Sequence, residues 1–426
     1  MDSLFIALCL AISLLTFLAI GLWVGFSLIL IALIALFLNG NQAVGLIFST
    51  TAWGHLTSWS LTALPLFIWM GELLYRAHIG KDLFDGLSPW LKRLPGGLLH
   101  INVFGSGIFA AVSGSSAATA ATMGRMTLPE LKKRGYSERL SIGSLAGSAT
   151  LGLLIPPSII LIVYGVASDV SIAQLFLAGV IPGLVLMLLF SLYIIASHLH
   201  KPRAKTADIS SLKKRHTVKK LLPITLLMCL VIGSIYSGLA TPSESAALGV
   251  LGALLICKFK GLLTLNLVSD SLIACVKTTT MILFILLGAS FLTMAMGFLQ
   301  IPASLAIWVG ELALSPATLL IALTAVFIIL GLFLDGISIV ILTCSILMPL
   351  IHQAGFDPIW FGIYLVVVVE MSQITPPVGF NLFVLKGITD RPLLEIAYAA
   401  MPFFIILLLS LVIFYHFPEV VLYLTR

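Results

Sequence analysis

Twice in this chain of 426 residues a long apolar segment is broken by a proline pair set among small and polar residues: Gly152-Leu-Leu-Ile-Pro156-Pro157-Ser158 and Thr375-Pro376-Pro377-Val-Gly379-Phe-Asn381. Proline has no backbone N–H and clashes with the preceding turn, so each pair leaves carbonyl oxygens open inside an apolar segment. Open carbonyls with Ser, Thr and Asn oxygens suit a small monovalent cation such as Na+, and the N-termini of interrupted helices suit a carboxylate. For the cation the candidates are Ser115, Ser116, Gly152 and the carbonyls before Pro156 in the first half, and Asp335, Gly336, Ser338, Thr375 and Gly379 in the second. For an anionic substrate they are Ser113, Gly114, Ser148, Thr150 and Asn381. The same Gly, Ala and Ser would equally let helices pack closely, as in Gly147-Ser-Ala-Thr150. What favours chemistry is that the polar residues coincide with the breaks in both halves.

The breaks are related by duplication. Pro156 and Pro376 differ by 376 − 156 = 220, and the same offset pairs Pro129 with Pro349, Gly135 with Gly355 and Pro182 with Pro402. Upstream, Gly21 pairs with Gly238, Gly71 with Gly288 and Gly80 with Gly297, each 217 apart.

With 60% hydrophobic and 9% charged residues, the chain has too much apolar surface for a soluble core, and apolar runs long enough to cross a bilayer recur along it. It reads as an all-α polytopic membrane protein. Met1-Asp2-Ser3 lacks a basic n-region, so the first apolar segment is expected to stay in place as a membrane helix. Five cysteines lie scattered without CxxC or Cys/His spacing, which points away from redox chemistry and from transition metals. The net charge of +6 belongs to loops, where membrane topology explains it without nucleic acid. No cofactor is called for by these residues.

The loops also orient the halves. The richest basic stretch, from Lys201 to Lys220, falls between them and is expected in the cytoplasm. Arg76, Lys81, Lys92 and Arg93 precede an apolar stretch, and Arg125, Lys132, Lys133 and Arg134 follow it. A re-entrant hairpin turning at Ser113-Gly114-Ser115-Ser116 returns both groups to one side. The counterpart loops, 298–318 and 352–360, contain no Lys or Arg, whereas Lys386 and Arg391 stand opposite the uncharged surroundings of Asp169. Every sign is reversed, as in an inverted-topology repeat. Residues 1–200 then form the first repeat, with a hairpin at about 98–125 and a broken helix at about 139–166. Residues 201–218 form a basic cytoplasmic loop, and 219–426 form the second repeat, with a hairpin at about 317–351 and a broken helix at about 361–387. About ten crossings and two hairpins follow, with both termini outside.

Embedded acids are few, and each is expensive unless satisfied. Asp335 at the second tip is a cation ligand, a helix N-cap, or both. Glu370 before the second break is a coupling residue or a structural anchor. Glu72 and Arg76 are spaced for an ion pair on one helix face, and Glu244 for the first turn of a helix. Trp90 and Trp308 occupy matching stretches, either as interfacial indoles or as ordinary core residues.

The strings SGSSAATAATMG (113 to 124), GLLIPPSI (152 to 159), LATPSESAALG (239 to 249), DGISIVILTCSILMPL (335 to 350) and ITPPVGFNLFVL (374 to 385) give the chain a family likeness. Over essentially its whole length it resembles the large membrane subunit of TRAP transporters, the tripartite ATP-independent periplasmic systems. The resemblance implies an elevator-type secondary transporter in a bacterial inner membrane, importing an organic acid on a Na+ gradient. It also implies two partners, a small membrane subunit and a periplasmic binding protein that delivers the acid. Glu370-Met-Ser-Gln373 leans toward the sialic-acid branch, with C4-dicarboxylates as the competitor. Ser243, Ser245 and Ser345 depart from the residues the family often has at those places.

Two other readings stand beside this one. A self-sufficient Na+/carboxylate symporter would share the paired hairpins and need no binding protein. An intramembrane protease would need a base beside a buried serine, with His100 the candidate, or two close carboxylates. An ATP-driven pump is disfavoured by the lack of any G-x-x-x-x-G-K-[ST] loop, so the energy is expected from an ion gradient or another subunit.

Overall fold

The computed structural model describes residues 3–41, 43–198, 214–312, 314–332, 334–376 and 379–426. Among them every regular element is helical. The inter-repeat loop through residue 213, and Pro377 of the second proline pair, lie outside the described residues. The last residues of the expected loop are helical, because the next helix runs Lys214–Tyr236.

The first hairpin has arms His100–Ser113 and Ser116–Lys133, with its tip at Gly114 and Ser115. Gly114 takes φ +58, a left-handed conformation that costs glycine little. The broken helix that follows runs Glu138–Ala149 and Leu151–Leu154, opens, and resumes at Ile159–Ala167. In the second half the expected hairpin region holds Pro316–Leu330 and Gly336–Gln353, which both pack on Pro358–Gln373 rather than extensively on each other, and the broken helix is Pro358–Gln373 and Phe380–Thr389. The outgoing arms, Ser116–Lys133 and Gly336–Gln353, begin and end at the duplication offset, since 336 − 116 = 220 and 353 − 133 = 220.

Packing between the halves is reciprocal. The distal half-helix of the first break, Ile159–Ala167, lies on the outgoing arm of the second hairpin. Phe380–Thr389 lies in turn on the outgoing arm of the first. Such swapped contacts are what a two-fold axis produces, and with the axis in the membrane plane they invert one repeat relative to the other. Each hairpin tip still meets the break of its own repeat, so the two halves interlock.

Around this core stand helices from the start of each repeat. Val24–Leu38 packs against the 34-residue helix Leu265–Phe298, and Ala63–Arg76 packs against both Leu265–Phe298 and Pro242–Phe259. Gly25 and Gly288 allow the first of these contacts: a Cβ on Gly288 would stand 2.7 Å from the Gly25 carbonyl. The 217 register fails just beyond. His78 and Gln300, both left-handed, start the short helices Ile79–Leu91 and Ile301–Glu311, so Gly80 lies on a short helix while Gly297 ends a long one. Trp90 and Trp308 on those short helices are half exposed, as interfacial indoles would be.

Among the described residues, four helices are long and apolar enough to cross a membrane, and six spans result when each of two bent pairs counts as one. The remaining apolar helices have 10–17 residues, so the expected ten crossings require shorter helices to reach across. Ion pairs join distant parts of the chain. Lys220 pairs with Asp85 at 2.6 Å, Lys260 with Asp82 at 2.5 Å, and Arg391 with Glu138 at 2.7 Å. Glu244 does more than sit in a first turn, since its carboxylate accepts from the Thr241 N–H at 2.8 Å in a capping box.

Candidate functional site

The first tip and the first break are built on each other. Ser115 caps the outgoing arm, its hydroxyl accepting from the Ala118 N–H at 3.4 Å. Thr119 donates to the Ser115 carbonyl at 2.8 Å and shares a 3.0 Å hydrogen bond with Ser113. Gly152 lies so close that a Cβ there would stand 2.7 Å from the backbone of Ser115 and Ser116. A Cβ on Gly114 would meet the Pro157 carbonyl at 3.2 Å. Past the prolines, the Ser158 hydroxyl accepts from the Leu161 N–H and donates to the Leu153 carbonyl, which joins the two sides of the break.

Asp335 caps the second outgoing arm. Its carboxylate accepts from the N–H groups of Ile337 and Ser338 at 3.2 and 3.4 Å, and from the Ser338 hydroxyl. Gly336 nests against Val369, Ile160 and Leu153, so the second tip touches both broken helices. At the second break, a Cβ on Gly379 would stand 2.6 Å from the Gln373 carbonyl and 2.8 Å from that of Thr375. Those oxygens converge on a spot that only glycine leaves clear.

A cavity of about 270 Å³ joins several of these parts. Ser113, Gly114 and Ser115 line it from the first tip, Leu153 and Ile159 from the first break, and Ile337 from the second hairpin. Three helix N-termini thus meet at one cavity: those of Ser116–Lys133, Ile159–Ala167 and Gly336–Gln353. Each end carries partial positive charge, which favours an anion. The surrounding wall supplies Gly71, Glu72 and Tyr75, with Thr278 opposite. Sequence reasoning missed this wall, taking Glu72 only as the partner of Arg76, to which it does pair at 3.6 Å. Arg76 also donates to the Asp270 carbonyl at 3.2 Å.

Other candidates lie off this cavity. The Ser148 and Thr150 hydroxyls donate to Ser144 and Gly147 carbonyls of their own helix at 2.5 and 2.6 Å. Thr375 does likewise to Met371 at 2.7 Å. Asn381 is fully buried with both amide atoms unbonded, and Gln373, 3% exposed, leaves its Nε2 unbonded. Such groups are costly unless something pairs with them. Gln373 was not among the site residues expected from sequence. Its signal was a long polar amide next to a proline break.

His100 does meet a serine, with Nδ1 2.7 Å from the Ser191 hydroxyl and Nε2 2.8 Å from the Pro95 carbonyl. Both residues are buried, and the pair ties the base of the first hairpin to helix Ile172–His198.

Duplicated, interlocked halves with paired broken helices, and a cavity where the first tip, the first break and the second outgoing arm meet, suit a membrane transport protein. Residues 11–420 match the family described as Tripartite ATP-independent periplasmic transporter, DctM component, and the chain belongs to that family. It is therefore the large permease of a transporter that depends on a periplasmic binding protein. A C4-dicarboxylate TRAP transporter large permease from Pseudomonas aeruginosa is 35% identical, over 85% of this chain and 85% of that protein. A sialic acid TRAP transporter large permease from Vibrio cholerae is 29% identical, over 94% and 93%. The crystal structure of the YdaH transporter of Alcanivorax borkumensis covers 87% of this chain and 89% of its own, with a TM-score of 0.64. At 14% identity it shows likeness of fold alone. These relatives are permeases, so the His100–Ser191 pair belongs to a transporter and not to a protease.

Proposed function

We propose that this permease imports a small organic acid anion, handed over by the periplasmic binding protein, and that a Na+ gradient drives it. The convergence of three helix N-termini on the tip cavity carries the reading, because it offers an anion a positive field without a committed cation. The anion would contact Ser113 and Gly114 in the cavity, with Ser148, Thr150 and Asn381 contributing as the core opens. Sodium would use the oxygens around Ser115, Ser116, Gly152 and Pro156 at one site, and those around Asp335, Gly336, Ser338, Thr375 and Gly379 at the other. The core of hairpins and broken helices would move as an elevator against the surrounding helices, in the bacterial inner membrane, with both termini in the periplasm. A small membrane subunit would complete the assembly.

The C4-dicarboxylate relative is the more similar of the two named above, so a C4-dicarboxylate is the first acid to try and sialic acid the second. Uptake into liposomes decides the matter, run with each acid, with and without a Na+ gradient and each partner. Uptake should need the gradient and both partners. Full Na+-driven uptake by the large permease alone would favour the self-sufficient symporter instead, and uptake indifferent to Na+ would end the coupling proposal.

A further inference from the structure

Glu370, read from the sequence as a coupling residue or a structural anchor, has no part in the anion and Na+ sites proposed above. It lies on Pro358–Gln373, 1% exposed, with both carboxyl oxygens unbonded. Among the described residues no other acid has both oxygens buried and unbonded. Leu151–Leu154 of the first broken helix packs on Pro358–Gln373, and its Leu153 N–H is directed to the Thr150 carbonyl at 3.4 Å. Its counterpart in the first repeat is Thr150, since 370 − 150 = 220, and that hydroxyl is satisfied by its own helix. The architecture therefore accepts a self-bonded threonine at this place and does not require a carboxyl.

Among the described residues no neighbouring cation compensates it, and Asp335, the N-cap of the packed helix Gly336–Gln353, is an acid spent on its own cap. Of the helices packed against Pro358–Gln373, Leu151–Leu154 and Pro316–Leu330 carry no titratable side chain. The Tyr164 and Tyr364 hydroxyls are committed to the Pro358 and Leu320 carbonyls, Tyr193 packs on Phe403, Tyr415 meets His416, Tyr398 is exposed, and Cys344 is a buried thiol. His198, His352, Lys386, Glu395, His416 and Glu419 all stand in the first or last turn of their helices. An ionised carboxyl enclosed in this way carries a large desolvation penalty, and taking up a proton removes most of it.

We propose that Glu370 is a proton-binding site of the transport core, protonated while the two broken helices are in contact and deprotonated when that contact opens to water. In the opening step the carboxyl O–H bond breaks, its electron pair stays on the carboxylate, and the proton passes to an entering water molecule. Closure reverses the transfer. This site stands apart from Na+ coupling, and either can fail without the other.

Infrared spectroscopy of the purified full chain in lipid nanodiscs, titrated from acid to alkaline pH, tests the proposal. The wild type should show a protonated-carboxyl C=O band at neutral pH, lost in Glu370→Gln and shifted in Glu370→Asp. In liposomes holding the whole transporter, with succinate as probe, wild-type uptake should change about tenfold per pH unit on its steep limb, as for one titrating proton. Glu370→Gln should flatten that limb while uptake at one fixed pH keeps its Na+ dependence. An unchanged band or an unchanged pH profile in Glu370→Gln overturns the proposal. Should that variant not fold, or succinate not be carried, the wild-type and Glu370→Asp spectra decide. Absence of the band from the wild type at neutral pH overturns the proposal, and its shift in Glu370→Asp supports it.

Discussion

Asp335 shows how one side chain serves structure and chemistry together. Its carboxylate holds two backbone N–H groups and the Ser338 hydroxyl, so the cap is real, yet its charge stands where a second cation site is proposed. Asparagine caps a helix about as well as aspartate, whereas alanine loses about 1 kcal/mol. Asp335→Asn should therefore keep the unfolding midpoint of the wild type and weaken Na+ dependence, while Asp335→Ala should lower both. Unchanged Na+ affinity in Asp335→Asn would leave the residue a cap and nothing more. Gly152 is tested by size alone. An added methyl would stand 2.7 Å from the Ser115 backbone, so Gly152→Ala should destabilise the core by about 1–3 kcal/mol and reduce uptake. A thermal midpoint equal to that of the wild type would mean that tip and break separate freely. The small residues around the breaks were legible in the sequence because proline and glycine constrain the backbone wherever they stand. The wall formed by Glu72 and Tyr75 was not, because its role depends on what packs opposite it.

At the scale of elements, the break between Leu154 and Ile159 exists because two prolines deny the helix its donors, and Ser158 then bridges the gap to Leu153. Replacing Pro156 and Pro157 by alanine should let the helix run on, adding helical signal in circular dichroism and closing the carbonyls proposed for Na+. Na+-dependent uptake should then fall at least tenfold with the protein still monodisperse. Undiminished uptake would show that those carbonyls are not used. The first hairpin was argued from loop charge, since a basic loop on each side of an apolar stretch demands a return to the same face, and the second from the duplication. The packing of each distal half-helix on the other repeat's outgoing arm did not follow, because the spacing of residues along a chain carries no record of which repeat a face meets.

For the whole molecule, inversion is the property with the most direct test. Ser137 and Asp357 precede the two broken helices at the same offset, 357 − 137 = 220, so single cysteines there should react with an impermeant maleimide from opposite sides of the membrane. The native cysteines need replacing first, as Cys9 and Cys229 are exposed. Labelling from one side would end the inverted arrangement. Taken alone, the sequence determined the membrane class, the duplication, the two breaks and the family likeness, because hydropathy, proline chemistry and loop charge are local and survive without coordinates. Only the tertiary structure decided that three helix N-termini share one cavity, that His100 is spent on Ser191, and that Glu370 lies buried and unbonded where the two broken helices pack. Each of those depends on atoms far apart in the chain arriving at the same place. The proline pairs declare where the backbone opens, and the two-fold packing of the repeats fixes what it opens onto.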